Sequence, residues 1–268
     1  MSLRIQNNVE AFNAHRNLVA VNDAVSKSME RLSSGYRINR AADDAAGLAI
    51  SEKMRGQISG LAQAQRNAQD AVSLVQTAEG SLDQVHAMLQ RIRDLAVEYK
   101  NGTLSTTDQQ AIQSEVNQLA SEIERIGSSA SFNGIALLNA TSTISFQVGA
   151  DDGQAITIST ISLGSTLGTA FYSLTASGTA DISEIDAAIN EVSATRATFG
   201  AVENRLNYTQ DNAEIYQENL TSSESRIRDV DMASEMVNFT KLQILQQAGT
   251  SMLAQANQAP QGVLSLLR

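Results

Sequence analysis

Asp43 and Asp44 stand side by side in the stretch INRAADDAAGLAI, residues 38–50, among five alanines. Two carboxylates in close contact drive their pKa values apart and can serve as general acid and general base. Successive positions on a helix, however, point about 100° apart and do not share a proton. Aspartate at a helix start has a simpler use: its side chain accepts backbone N–H groups that have no partner inside the helix, and its charge suits the positive end of the dipole. The pair therefore reads as a helix start after the turn-like SSG, one aspartate capping the long helix that follows and the other facing its positive end.

The two histidines, His15 and His86, fall in different helical segments, and neither has a metal-ligating partner at helical spacing. His15 reads as a polar-face residue and His86, beside the apolar position Val85, as solvated. The patterns GxSxG, GxxxxGK[ST] and GxGxxG are absent, and Met29, Met54, Met88, Met232, Met236 and Met252 read as helix packing. The residues thus offer no catalytic, cofactor or metal site.

The 268 residues include one proline, no cysteine, no tryptophan and 4 % aromatic residues, a mix that favours long helices over a thick aromatic core. From Val75 the apolar positions run Val75, Ala78, Leu82, Val85, Leu89, Ile92, Ala96, Tyr99, alternating steps of three and four as in a coiled-coil seam. Leu48, Met54, Ile58, Leu61, Ala68 and Val72 extend the pattern back to Asp44. A helix over 44–99 would be about 84 Å long. A compact chain of this size has a radius of gyration of about 18 Å, so the predicted fold is elongated.

Asn101 and Gly102 break the pattern, and Ser105, Thr106 or Thr107 can cap a second helix ahead of Asp108, with the seam Ile112, Val116, Leu119, Ile123, Ile126. It can fold back antiparallel on the first. TISFQVG, ADDGQ and AITIST then predict a β-hairpin with an Asp-Gly turn, and residues 164–180, rich in Gly, Ser and Thr, an exposed loop. Helix resumes with Ile182, Ile185, Ile189 and Val192, passes Phe199 and Val202, and keeps a seven-residue step through Leu206, Ala213, Leu220 and Ile227. This second long helix is the natural partner of the first.

Both ends are amphipathic to their last residues, with Leu3, Ile5, Val9 and Phe12 at one and Met252, Leu253, Val263, Leu264, Leu266 and Leu267 at the other. Chain ends are normally polar and frayed, so these imply burial that neighbouring subunits would supply. The formal charge of -10 disfavours nucleic acid and anionic lipid as partners. Residues 1–44 carry six Lys/Arg against five Asp/Glu, while residues 141–200 hold six Asp/Glu and one Arg, which fits ends that stick and a middle that faces water. No apolar run reaches the roughly 18 residues of a membrane span, and the N-terminus lacks a secretory layout. By those rules alone the chain reads as cytoplasmic.

Four stretches carry a resemblance. MSLRIQNNVEAFNAHRNL, SMERLSSGYRINRAADDAAGLAISEKMRGQISGL and AQDAVSLVQTAEGSLDQVHAMLQRIRDLAVE near the start, and ENLTSSESRIRDVDMASEMVNFTKLQILQQAGTSMLAQANQAPQGVLSLLR at the end, resemble bacterial flagellin over roughly residues 1–140 and 182–268. Hook-associated junction proteins share the pattern more loosely. The resemblance implies a structural subunit, not an enzyme, that self-assembles into the hollow flagellar filament and transmits motor torque. It implies a mainly α fold: an elongated antiparallel coiled-coil rod with a small β-hairpin region and terminal helices that pair in the polymer.

By the same resemblance, residues 1–43 with 228–268 would form the inner tube, 44–140 with 182–227 the rod of the outer tube, and 141–181 the hairpin and exposed loop, a short form without outer domains. Leu3, Ile5, Phe12, Leu253, Val263, Leu264, Leu266 and Leu267 would be polymerisation termini, with Asp43 and Asp44 at the start of the rod. Gln90, Arg91 and Leu95 in LQRIRDLAVE, with Glu115 in IQSEVNQL, would contact the vertebrate toll-like receptor for flagellin. Implied partners are further copies of the chain, an export chaperone at the C-terminal helices, and hook-associated and cap proteins. No cofactor is implied. The implied location is extracellular, reached through the flagellar export channel without a cleaved signal, which replaces the cytoplasmic reading.

Overall fold

The computed structural model describes residues 8–163 and 181–266, and side chains at 181 and 259–266 are not described. Five long helices and two short antiparallel ribbons follow in the order α1 (Val9–Ser34), α2 (Ala45–Tyr99), α3 (Thr106–Ser129), β1 (Ser131–Phe132), β2 (Ile135–Ala136), β3 (Thr143–Gln147), β4 (Ala155–Ser159), α4 (Asp181–Arg228) and α5 (Met232–Leu266). The fold is mainly α, as the periodicity predicts. The chain divides into two compact units, one of residues 1–56 with 219–268 and one of residues 57–218.

In the second unit the seam read from sequence is the core. Val75, Ala78, Leu82, Val85, Leu89, Ile92 and Ala96 of α2 are buried, with Ile112, Val116 and Ile123 of α3 and Ile185, Val192, Phe199, Val202 and Leu206 of α4. Tyr99, Leu119 and Ile126 pack at its margin. Polar bridges fix the direction of α4 against α2: Gln65 donates to Gln217 at 2.9 Å and Gln76 to Glu203 at 2.8 Å, while Arg196 reaches Glu79 and Asp83 and Arg93 reaches Asp186. Partner numbers fall on one helix as they rise on the other, so the two run antiparallel. Small residues Ala64, Ala68 and Ala71 are buried on α2 below the seam, where short side chains permit close approach.

Ser105 caps α3. Its hydroxyl accepts from Asp108 N, and the Asp108 carboxylate accepts from Ser105 N at 3.0 Å, a reciprocal capping box. The Asp108 carboxylate also accepts from the Ser105 hydroxyl at 2.7 Å, and this bond first, then the one from Ser105 N, lowers the Asp108 pKa.

The expected hairpin is β3–β4, registered from Thr143 opposite Ser159 to Gln147 opposite Ala155. Ile156 and Ile158 are buried while the alternate residues face outward, and Gly153 holds φ 83° in the Asp-Gly turn. A second ribbon, β1–β2, which no sequence pattern above predicts, precedes it. Asn133 and Gly134 turn it with φ 48° and 80°, the left-handed pair that an Asn-Gly dipeptide supplies to a tight hairpin. It leads into Leu137 and Leu138, both fully buried. The hairpin lies so close to α2 that a Cβ at Gly60 would sit 3.0 Å from Ala150 Cβ. The loop expected over 164–180 lies outside the described residues.

Candidate assembly surface

Within the first unit, α1 and α5 pair antiparallel. Asn8 caps α1 by accepting from Ala11 N at 3.0 Å and donates its own amide to Ala256 O at 2.7 Å. Gln246 donates to Asn22 at 2.8 Å and Ser28 to Glu235 at 2.5 Å, while Gly249 leaves room for Leu18, whose Cδ1 would lie 3.2 Å from a Cβ there. Glu235, only 8 % exposed, also lies 3.8 Å from Arg31. A buried carboxylate so held fixes register more than it adds stability. Nothing in the linear sequence marks Glu235 as buried.

The pair conceals little apolar surface. Val25 is the one hydrophobic side chain of α1 that is buried, and among the described side chains of α5 no hydrophobic one is. Val9, Phe12, Val19 and Met29 on α1 and Met236, Val237, Ile244, Leu245 and Met252 on α5 remain exposed, Phe12 by 68 %. A hollow of about 400 Å³ between the helices is lined by apolar residues including Leu18, Val21, Leu245 and Met252. An exposed apolar surface of this extent marks an interaction site. Of the expected polymerisation residues, Phe12 lies on this surface and Leu253 is half-buried. Val263, Leu264 and Leu266 belong to α5 by backbone alone, and Leu3, Ile5 and Leu267 lie outside the described residues.

The connector from α1 to α2 shows what the two aspartates do. Gly35 ends α1 at φ 77°, its N–H bonded to Arg31 O at 2.9 Å. The chain then runs beside the end of α4: Arg37 N donates to Arg228 O at 2.6 Å and Val230 N to Gly35 O at 3.0 Å. Arg228 stacks over the Tyr36 ring at 4.6 Å and reaches Glu52 at 2.8 Å. Ile38 is buried. Asp44 caps α2, its Oδ1 accepting from Gly47 N at 2.9 Å.

Asp43 turns the other way. Its Oδ2 accepts from Asn39 N at 3.3 Å and Arg40 N at 3.2 Å, and Oδ1 lies 2.6 Å from Lys27 Nζ on α1. Lys27, followed by the backbone donor of Arg40, holds the Asp43 carboxyl at about 2. One aspartate thus starts the helix while the other, just ahead of the cap, ties the connector to α1. Gly47 completes the arrangement, since a Cβ there would lie 2.5 Å from Asp44 Oδ2 and 2.9 Å from Ile38 Cδ1.

The residues expected at a receptor contact divide. Arg91 binds Glu115 through Nε at 2.9 Å and Nη2 at 2.6 Å, both groups half-exposed on α2 and α3, and that carboxylate raises the Arg91 pKa. Gln90 is exposed and lies 2.9 Å from His86 Nε2. Leu95 is different: at 2 % exposure it belongs to the core, because it lies on the buried side of α2 facing the other helices. His86 is half-buried rather than solvated. Among the described residues, no helix is long and apolar enough to cross a membrane, and no three His, Asp or Glu side chains gather as a metal site.

Comparison with known proteins gives the same picture over nearly the whole length. The profile of the bacterial flagellin N-terminal helical region matches residues 5–143, and that of the C-terminal helical region matches residues 182–267. A flagellin of Halalkalibacterium halodurans is 51 % identical, the match covering 98 % of this chain and 99 % of that protein. A flagellin of Bacillus subtilis is 48 % identical over 99 % of this chain and 100 % of its own length. The flagellar filament 33 kDa core protein of Treponema phagedenis is 46 % identical over 98 % and 99 %. The crystal structure of Bacillus cereus flagellin superposes with a TM-score of 0.51 at 34 % identity, covering 55 % of this chain and 88 % of that one.

Proposed function

The chain belongs to the bacterial flagellin family, and from that premise we propose how its parts serve the filament. The protein is a structural subunit, not an enzyme, that assembles with copies of itself into the extracellular flagellar filament and carries motor torque into swimming. Residues 1–43 with 228–268 form the inner tube, residues 44–140 with 182–227 the outer tube, and residues 141–181 the hairpin and exposed loop. The observation that carries this division is the apolar surface left open along α1 and α5. Burying a fully exposed Phe, Ile or Met is worth about 1.5–3 kcal/mol each, so a few such contacts per subunit suffice to drive polymerisation. Leu3, Ile5, Phe12, Leu253, Val263, Leu264, Leu266 and Leu267 supply those contacts.

Before assembly the same apolar surface needs cover, which suits an export chaperone at the C-terminal helices and passage through the flagellar channel without a cleaved signal. Hook-associated and cap proteins, meeting the two ends of the filament, use the surfaces that a neighbouring copy would use. Recognition by the host toll-like receptor falls on Gln90, Arg91 and Glu115, whose exposed polar groups form one patch across α2 and α3. Seeding purified subunits with short filament fragments tests the assembly reading. Full-length chains should extend the seeds and chains lacking residues 233–268 should not. Full-length chains that only cap seed ends would make the protein a junction component.

A further inference from the structure

We propose that Asn101, in the turn between α2 and α3, is a site of spontaneous covalent modification, losing its side-chain amide to water through a cyclic imide closed by the Gly102 backbone nitrogen. The chain holds two Asn-Gly dipeptides, Asn101–Gly102 and Asn133–Gly134. Glycine favours the closure because no side chain hinders the attacking nitrogen. The Gly102 nitrogen bonds to Asn101 Cγ and gives up its proton, the Cγ–Nδ2 bond breaks, and ammonia leaves. Water then opens the ring at either carbonyl, giving aspartate or isoaspartate, with no oxidant or reductant needed.

The two dipeptides share chemistry and exposure but not restraint. Asn101 and Gly102 lie outside any helix or strand. Among the described residues nothing accepts a hydrogen bond from the Gly102 N–H, and nothing lies within 4 Å of where its Cβ would be. Among the described residues the Asn101 side chain accepts a single bond, 3.4 Å from Thr103 N, while its backbone N–H donates to Glu98 O at 2.9 Å and its carbonyl accepts from Leu104 N at 3.2 Å. Asn133, in contrast, is fixed at φ 48° in a tight hairpin whose strands pair Phe132 with Ile135 and Ser131 with Ala136. That hairpin leads directly into the buried Leu137 and Leu138, so swinging Asn133 toward ring closure disturbs the core. Local opening is cheap at the first site and coupled to packing at the second.

Modification at Asn101 adds one negative charge to a subunit already at -10. The isoaspartate form also inserts a backbone carbon just ahead of the Ser105 cap. The test uses the full chain as a monomer, so its outcome does not depend on assembly. Protein held at mildly alkaline pH and 37 °C is digested at intervals, and aspartate and isoaspartate at each site are counted by mass spectrometry. Asn101 should convert about tenfold faster than Asn133, equivalent to about 1.4 kcal/mol in barrier, and the two rates should converge in denaturant. Gly102→Ala, which the open space and ordinary φ at Gly102 accommodate, should slow Asn101 by a similar factor and leave Asn133 unchanged. Equal rates in the folded chain, a difference that persists in denaturant, or an Asn101 rate indifferent to Gly102→Ala would overturn the proposal.

Discussion

At the residue scale the connector concentrates the strictest demands. Asp43 has a folded pKa of about 2 against an ordinary 3.8, so it binds fewer protons folded than unfolded. Its contribution to stability is fully present above pH 3.8 and is lost as the pH falls through about 2. Asp43→Asn filaments should therefore dissociate less steeply across that acid window than the parent, followed by light scattering against pH, and should be weaker at neutral pH. Gly47 meets a steric demand instead. Gly47→Ala drives a methyl into the capping carboxylate and Ile38, at a cost of about 1–3 kcal/mol. Gly80→Ala on the same helix, where a Cβ meets nothing, should stabilise by roughly 0.5–1 kcal/mol. Filament melting temperatures of the two variants should move in opposite directions.

At the scale of elements, α2 shows how much periodicity conveys. Its predicted span of 44–99 and its observed span of Ala45–Tyr99 differ by one residue, because the start is written by a capping aspartate and the end by Asn101 and Gly102. The α3 cap was narrowed to three hydroxyl residues, and the Asp108 carboxylate selects Ser105. Ser105→Ala should cost about 1 kcal/mol, read as a lower unfolding midpoint of the monomer in urea. The β1–β2 ribbon has only its Asn-Gly dipeptide as a sequence signal, since two-residue strands carry no alternation. The ion pairs of Arg93 with Asp186 and of Arg196 with Glu79 and Asp83 were not legible at all, because charge on an exposed helix face has no preferred partner until the facing helix is placed.

At the scale of the whole molecule, the apolar face of α1 and α5 sets behaviour that neither helix has alone. Ile244 on α5 is 62 % exposed in the folded subunit. Ile244→Lys should leave unfolding of the monomer unchanged while raising the critical concentration for seeded assembly by tenfold or more, since about 1.4 kcal/mol per contact corresponds to a factor of ten. An unchanged critical concentration would remove Ile244 from the subunit contacts.

The sequence by itself determined the class of fold, the helix limits, the seam residues and the family, because these rest on local periodicity, caps and contiguous motifs. Tertiary structure decided which side of α2 each motif residue occupies. It placed Leu95 in the core and Arg91 and Glu115 outside. It also decided that Asp43 pairs with Lys27, that Glu235 is buried against Ser28, and that Asn101 and Asn133, alike in sequence, differ in restraint. Apart from the two asparagines, whose restraint is local, each of these depends on a residue far away in the chain, and the free energy of such a contact exists only once the helices have docked.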